Sequence, residues 1–218
     1  MEKNLLNFCK TRLTNKLMKR LSLYLFLFLF TFQTPSQADD IQDFQIEGMS
    51  VGDSLLDYLS EEEIKEARKY KYNSDKFYSL DIFDDQSEHF NAFQFHLKKK
   101  DYKYIIHGVT GAIIFGEVGI YYPNSENECK KQKKIIEKDI DSIFSNAKKI
   151  TKSGMGQEDV DKEAIRHETY YILNSGDIYL QCVTFGKKAK KKHYIFDSLR
   201  LTILTKEFSN WITHEAYK

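Results

Sequence analysis

Four stretches of this chain alternate apolar and polar residues with a period of two, and no other feature constrains the fold as strongly. In "FYSLDIF" (77–83), Tyr78, Leu80 and Ile82 alternate with Ser79 and Asp81. In "FNAFQFHLK" (90–98), Phe93, Phe95 and Leu97 alternate with Gln94 and His96. Ile178, Leu180 and Cys182 repeat the pattern in "GDIYLQC", and Leu199, Leu201 and Ile203 repeat it in "SLRLTIL". Side chains on a strand point alternately to opposite faces, so each stretch predicts a strand with one buried and one wet face. "KYIIHGVTGAIIFG" (103–116) adds apolar strand-forming residues, with Gly108 and Gly111 read as the punctuation of a further turn. The "NSGD" tetrapeptide (174–177) predicts a hairpin turn.

Helical patterns fall between these runs, not inside them. Asp53 or Ser54 can cap a short turn carrying Leu55, Leu56 and Leu59. Ser60 and Glu63 then match a capping box, which starts a second short helix holding Ile64 and Ala67. The longest helix is predicted after Pro123, capped by Asn124 or Ser125. Cys129, Ile136, Ile140, Ile143 and Ala147 form its apolar stripe, with lysines and acids opposite. Residues 148–166 are polar and read as a loop, and "KKAKKK" (187–192) reads as a turn before the last strand. "TKEFSNWI" (205–212) closes as a short helix burying Phe208, Trp211 or Ile212. Runs of strands without alternating helices predict an α+β fold. Its antiparallel sheet has about six or seven strands with helices packed on one face. The order is also compatible with two helix-then-strands halves.

The first 38 residues read as a cleaved signal peptide. Lys16, Lys19 and Arg20 precede a 12-residue apolar run, Leu21–Phe32, and "TPSQA" follows it. Twelve helical residues rise roughly 18 Å, too little for a hydrocarbon core of about 30 Å. Small residues at Ser36 and Ala38 place the cut between Ala38 and Asp39. Met18 offers an alternative start, since the segment from it is a compact signal by itself. Residues 39–218 remain as one α+β domain with no second apolar run of membrane-spanning length. The expected setting is the bacterial periplasm or the medium.

That compartment decides how the cysteines are read. Cys9 lies in the leader, so Cys129 and Cys182 are left, and oxidising conditions favour a disulfide between them. Removing the leader's six Lys/Arg and one Glu from totals of 33 and 32 leaves 27 basic and 31 acidic residues. A slightly acidic chain gives no push toward nucleic acid or anionic membrane.

The search for chemistry yields little. Five lysines, Lys187, Lys188, Lys190, Lys191 and Lys192, form the densest charge run. They read as a solvated hairpin tip, with an anion-binding tip as the alternative. The six histidines, at 89, 96, 107, 167, 193 and 214, show no helical ligand spacing. Asp159, Asp161 and Glu163 alternate as calcium ligands do, but the glycine and closing glutamate of such a loop are missing. Glu61, Glu62 and Glu63 suit a helix N-terminus, where the dipole favours acids. No nucleophile elbow, phosphate loop or dinucleotide fingerprint occurs, so no catalytic, metal or cofactor residue is assigned.

"IEGMSVGDSLLDYLSEEEI" (46–64) and "TKEFSNWITHEAY" (205–217), with "ENEC" and "SGDIYLQC" between them, resemble a family of small exported proteins of marine alphaproteobacteria. The resemblance runs over nearly all of residues 39–218. It implies a periplasmic or secreted setting and supplies no activity, ligand or catalytic residue. "EGMSVGDSLL" is also similar to the opening of small outer-membrane assembly lipoproteins, which set helices on an antiparallel sheet and bind proteins. The lipidated cysteine of those proteins has no counterpart here. The expectation is therefore an envelope binding or protein-interaction module with a protein partner and no cofactor. An envelope enzyme or enzyme inhibitor is the alternative.

Overall fold

The structure, a computed structural model, describes residues 40–84, 87–116, 124–155, 161–193 and 195–218. The signal-peptide reading, with its cut at Ala38 and Asp39, lies outside these residues, as does Asp159. Eight strands form one sheet: β1 (Arg68–Lys71), β2 (Phe77–Phe83), β3 (Ala92–Lys98), β4 (Ile106–Phe115), β5 (Lys148–Met155), β6 (Ile165–Ile172), β7 (Gly176–Thr184) and β8 (Asp197–Thr205). Their spatial order is β1-β2-β3-β4-β8-β7-β6-β5, and every pair is antiparallel. The fold is α+β, as the alternation predicts, with eight strands instead of six or seven. Two four-stranded meanders meet at β4 and β8, each preceded by helical residues, so the topology repeats.

Helical elements cover the sheet. Two 3-10 turns (Ile41–Asp43 and Leu55–Asp57) and α1 (Glu61–Glu66) precede the first meander. The Ser60–Glu63 capping box is formed in both directions. Helix α2 (Ser125–Ile143) precedes the second meander, α3 (Lys187–His193) separates β7 from β8, and α4 (Lys206–His214) follows β8. Among the described residues, no helix is long and apolar enough to cross a membrane.

The main core lies between α2, the N-terminal turns and one face of the sheet. Leu80, Phe93, Phe95, Leu97, Val109, Ile178, Leu180, Leu199, Leu201 and Ile203 supply that face, and Ile41, Ile46, Leu55, Ile64 and Ile140 pack on it. Cys129 on α2 and Cys182 on β7 are joined by a disulfide inside this core, their Cα atoms 5.9 Å apart. A second, smaller core lies on the opposite face, where Phe208 and Trp211 of α4 pack on Phe77 and Leu204. Helices therefore sit on both faces, and α4 covers only one end of the second.

Several local expectations change. Gly108 and Gly111 do not turn the chain; they lie inside β4. A Cβ on Gly108 would come within 2.8 Å of Leu204 and His96 side-chain atoms, and one on Gly111 equally close to Ile46 and Phe90. These glycines let neighbours approach the strand, a role that looks the same in sequence as punctuation. Residues 148–166, read as a loop, contain β5 and the start of β6. β5 is an edge strand, exposed along almost its whole length, so it carries no alternation. Its lysines, like Arg68, Lys69 and Lys71 on β1, discourage edge-to-edge pairing.

Gly176 tests the packing most sharply. A Cβ there would sit 2.2 Å from the Leu204 carbonyl oxygen, backbone that cannot rotate away. Gly176→Ala should destabilise the protein by about 2–3 kcal/mol in urea denaturation. Gly154→Ala, with nothing within 4 Å of its Cβ, should stay within about 0.5 kcal/mol of wild type. Equal effects of the two would contradict this packing.

Candidate functional site

The second face of the sheet is only half covered, and what α4 leaves open is a groove running across the strands. Cross-strand partners share a face, so the register gives its contents. One row runs Phe83, Ala92, Ala112, Arg200, Gln181, Glu168 and Lys152, from β2 to β5. The neighbouring row runs Asp81, Gln94, Thr110, Thr202, Tyr179 and Tyr170. From β2 to β6 the groove crosses five strand spacings, roughly 24 Å at about 4.8 Å each. Tyr179 marks its boundary with α4, where its hydroxyl meets the Ser209 hydroxyl at 3.3 Å.

Arg200 occupies the middle. It stands on β8, a central strand, and two depressions flank it. The first, of about 130 Å³, has Ala92 and Ala112 as a low floor and Phe83 and Phe196 as aromatic walls. The small alanine side chains create this space, and Phe83 is 62% exposed at the rim. The second, of about 160 Å³, is lined by Glu168, Tyr170, Tyr179, Gln181 and Thr202.

Most polar groups in the groove already have partners. Asp81 accepts from the Gln94 amide at 2.9 Å. The Thr110 and Thr202 hydroxyls bond at 2.8 Å. Glu168 accepts from the Tyr170 hydroxyl at 2.7 Å and from the Gln181 amide, and faces Arg166 at 3.6 Å. Burial and the Glu168 carboxylate push the Tyr170 phenol up, so it stays a donor. Arg200 is different. Its Nε donates to the Ser198 hydroxyl at 3.1 Å, and its terminal amino groups make no hydrogen bond or ion pair among the described residues. The side chain is exposed to the groove, yet concave walls surround it. Desolvation by those walls, and the positive charge of Arg166, lower its pKa. A guanidinium remains charged under such a shift and presents two forked donors.

The groove can hold and orient a ligand. Its two carboxylates, Asp81 and Glu168, lie on β2 and β6, five strand spacings or roughly 24 Å apart. They are far beyond the reach needed to share one reacting bond.

The residues singled out in the sequence lie elsewhere. Cys129 and Cys182 form the disulfide of the main core. The lysine run is not a solvated turn. It forms α3, and Lys190 points inward to Asp197, Nζ to Oδ2 at 2.6 Å, with both side chains 1% exposed. Asp197 also accepts from the Phe185 amide at 2.8 Å and from the Ser125 hydroxyl. Asp161 spends both oxygens on backbone amides, those of Glu163 and Gly186. Glu63 closes the capping box and Glu61 pairs with Lys65. The histidines do not converge. His96 is buried against Phe208 with its pKa pushed down to about 3 by desolvation, and Tyr72 bonds its Nδ1. His107 lies 3.8 Å from Glu207, while His167 bridges Glu126 and Ser153. No cluster of three metal-binding side chains occurs among the described residues.

Arg200 was not singled out in the sequence. The alternation in "SLRLTIL" does put it opposite Leu199 and Leu201, on the wet face. What the sequence withholds is that β8 is central and that alanines of β3 and β4 lie beside it. The chain matches no family model, no curated protein and no solved structure.

Proposed function

We propose that this protein is an exported binding module, periplasmic or secreted, which takes a protein partner on the half-open face of its sheet. The observation that carries this reading is the groove across that face, centred on an arginine with unused donors and rimmed by an exposed phenylalanine. Eight paired strands give it a rigid floor, and rigid presentation of a few anchors favours binding by limiting the ordering required. Arginine and aromatic residues are the side chains most enriched at the energetic centres of protein interfaces. The disulfide suits an oxidising compartment.

The test is site-specific photocrosslinking in the exporting cell. A benzophenone analogue of phenylalanine replaces Phe83 at the groove rim or, as a control, Tyr102, which is 84% exposed in the turn between β3 and β4. The expected result is a discrete adduct from position 83 and none from position 102. It should form on a chain beginning at Asp39 and be lost when Ala112→Trp fills the depression. Equal labelling from both positions, or adducts indifferent to Ala112→Trp, would count against the groove as the binding surface.

A further inference from the structure

Resting on that reading, we propose that the groove recognises a carboxylate, carried beside an apolar side chain on an extended acidic segment of the partner protein. Arg200 binds the carboxylate, and the depression floored by Ala92 and Ala112 takes the apolar group.

Charge complementarity carries the choice of occupant. Every carboxylate lining the groove already accepts from a neighbouring amide or hydroxyl, whereas the Arg200 fork has donors left over. Nearby charges are of both signs, Arg166 lowering and Asp81 raising the Arg200 pKa, so it is the unused fork that favours an incoming anion. The fork matches the two oxygens of a carboxylate, and a walled, partly dewatered position strengthens that pair. Immediately beside it the floor drops to two alanines between Phe83 and Phe196, a space that suits a ring or branched aliphatic group. The groove's length, roughly 24 Å, corresponds to about seven residues of extended chain. A small acid would occupy one depression and leave the other empty; an extended segment crosses both.

The experiment uses the protein recovered after export, isotopically labelled, and follows its amide and side-chain resonances during titration. The probes are the blocked tripeptides acetyl-Phe-Asp-Phe-amide and acetyl-Phe-Asn-Phe-amide, which are close in shape and differ in charge. Phenylacetate serves as the non-peptide acid. The Asp peptide should shift resonances of Arg200, Ala92 and Ala112 and bind at least ten-fold tighter than the Asn peptide. Rising salt should narrow that gap. Arg200→Gln should reduce it to within two-fold without changing the melting temperature, and Arg200→Lys should keep part of it. If both peptides bind the groove equally, the carboxylate assignment is wrong while the groove remains a binding surface. If phenylacetate binds as tightly as the Asp peptide, the occupant is a small acid and the peptide assignment falls. If no probe shifts these resonances, the inference fails, and the crosslink from position 83 decides separately whether the groove binds a partner at all.

Discussion

Asp197→Asn is expected to destabilise the fold by about 3–5 kcal/mol, a large share of the stability of an ordinary domain. The change keeps the shape of the side chain and the acceptor for the Phe185 amide. It removes the negative charge facing the Lys190 ammonium at 2.6 Å, where both side chains are 1% exposed. Removing one charge of a buried pair is far more costly than removing both, because the attraction that offset desolvation is lost while the other charge stays buried. The compensating experiment is Lys190→Met combined with Asp197→Asn, which removes both charges and keeps the volume. The double variant should recover more than half of the loss in urea denaturation, with an unchanged dependence on denaturant. A loss below about 1 kcal/mol for the single variant would mean that Asp197 is not what offsets the burial of the ammonium.

The second large effect is expected from the disulfide. Cys129 is near the start of α2 and Cys182 is in β7, 53 residues apart in sequence. Closing a loop of that length restricts the unfolded chain by about 4 kcal/mol on the chain-entropy argument. Replacing both cysteines with alanine should therefore lower stability by about 2–5 kcal/mol in guanidinium denaturation, and reductant should lower the wild type by a similar amount. The double replacement avoids leaving one reactive thiol in the core. Two freely alkylated thiols in the native protein would remove the bridge from the molecule.

What the sequence revealed and what it hid divide along physical lines. Strands with one wet and one buried face were legible, since Leu80, Phe95, Ile178 and Leu201 alternate with polar neighbours. The long helix and its inward cysteine were legible for the same reason. Edge strand β5 was not, because a strand exposed on both faces has no alternation to read. Charge misled where it was paired and buried. Lys133, on the apolar stripe of α2, lies buried between Glu137 and Thr169, 2.6 Å from each. Lys190 sits in a run of lysines that looks solvated throughout, and only the fold brings Asp197 to it. The groove was hidden more deeply still. Its alanines and its arginine are ordinary residues that become a site only because β4 and β8 are neighbours.

That neighbourhood has a temporal consequence. The chain's last strand completes the middle of the sheet: Thr110 meets Thr202, 92 residues later. Each meander can assemble from local hairpins as it arrives, but the seam joining them cannot form until β8 is present. A polypeptide delivered N-terminus first thus carries its first half-sheet unjoined until β8 has followed. The groove, which straddles the seam, is complete only once β8 lies beside β4.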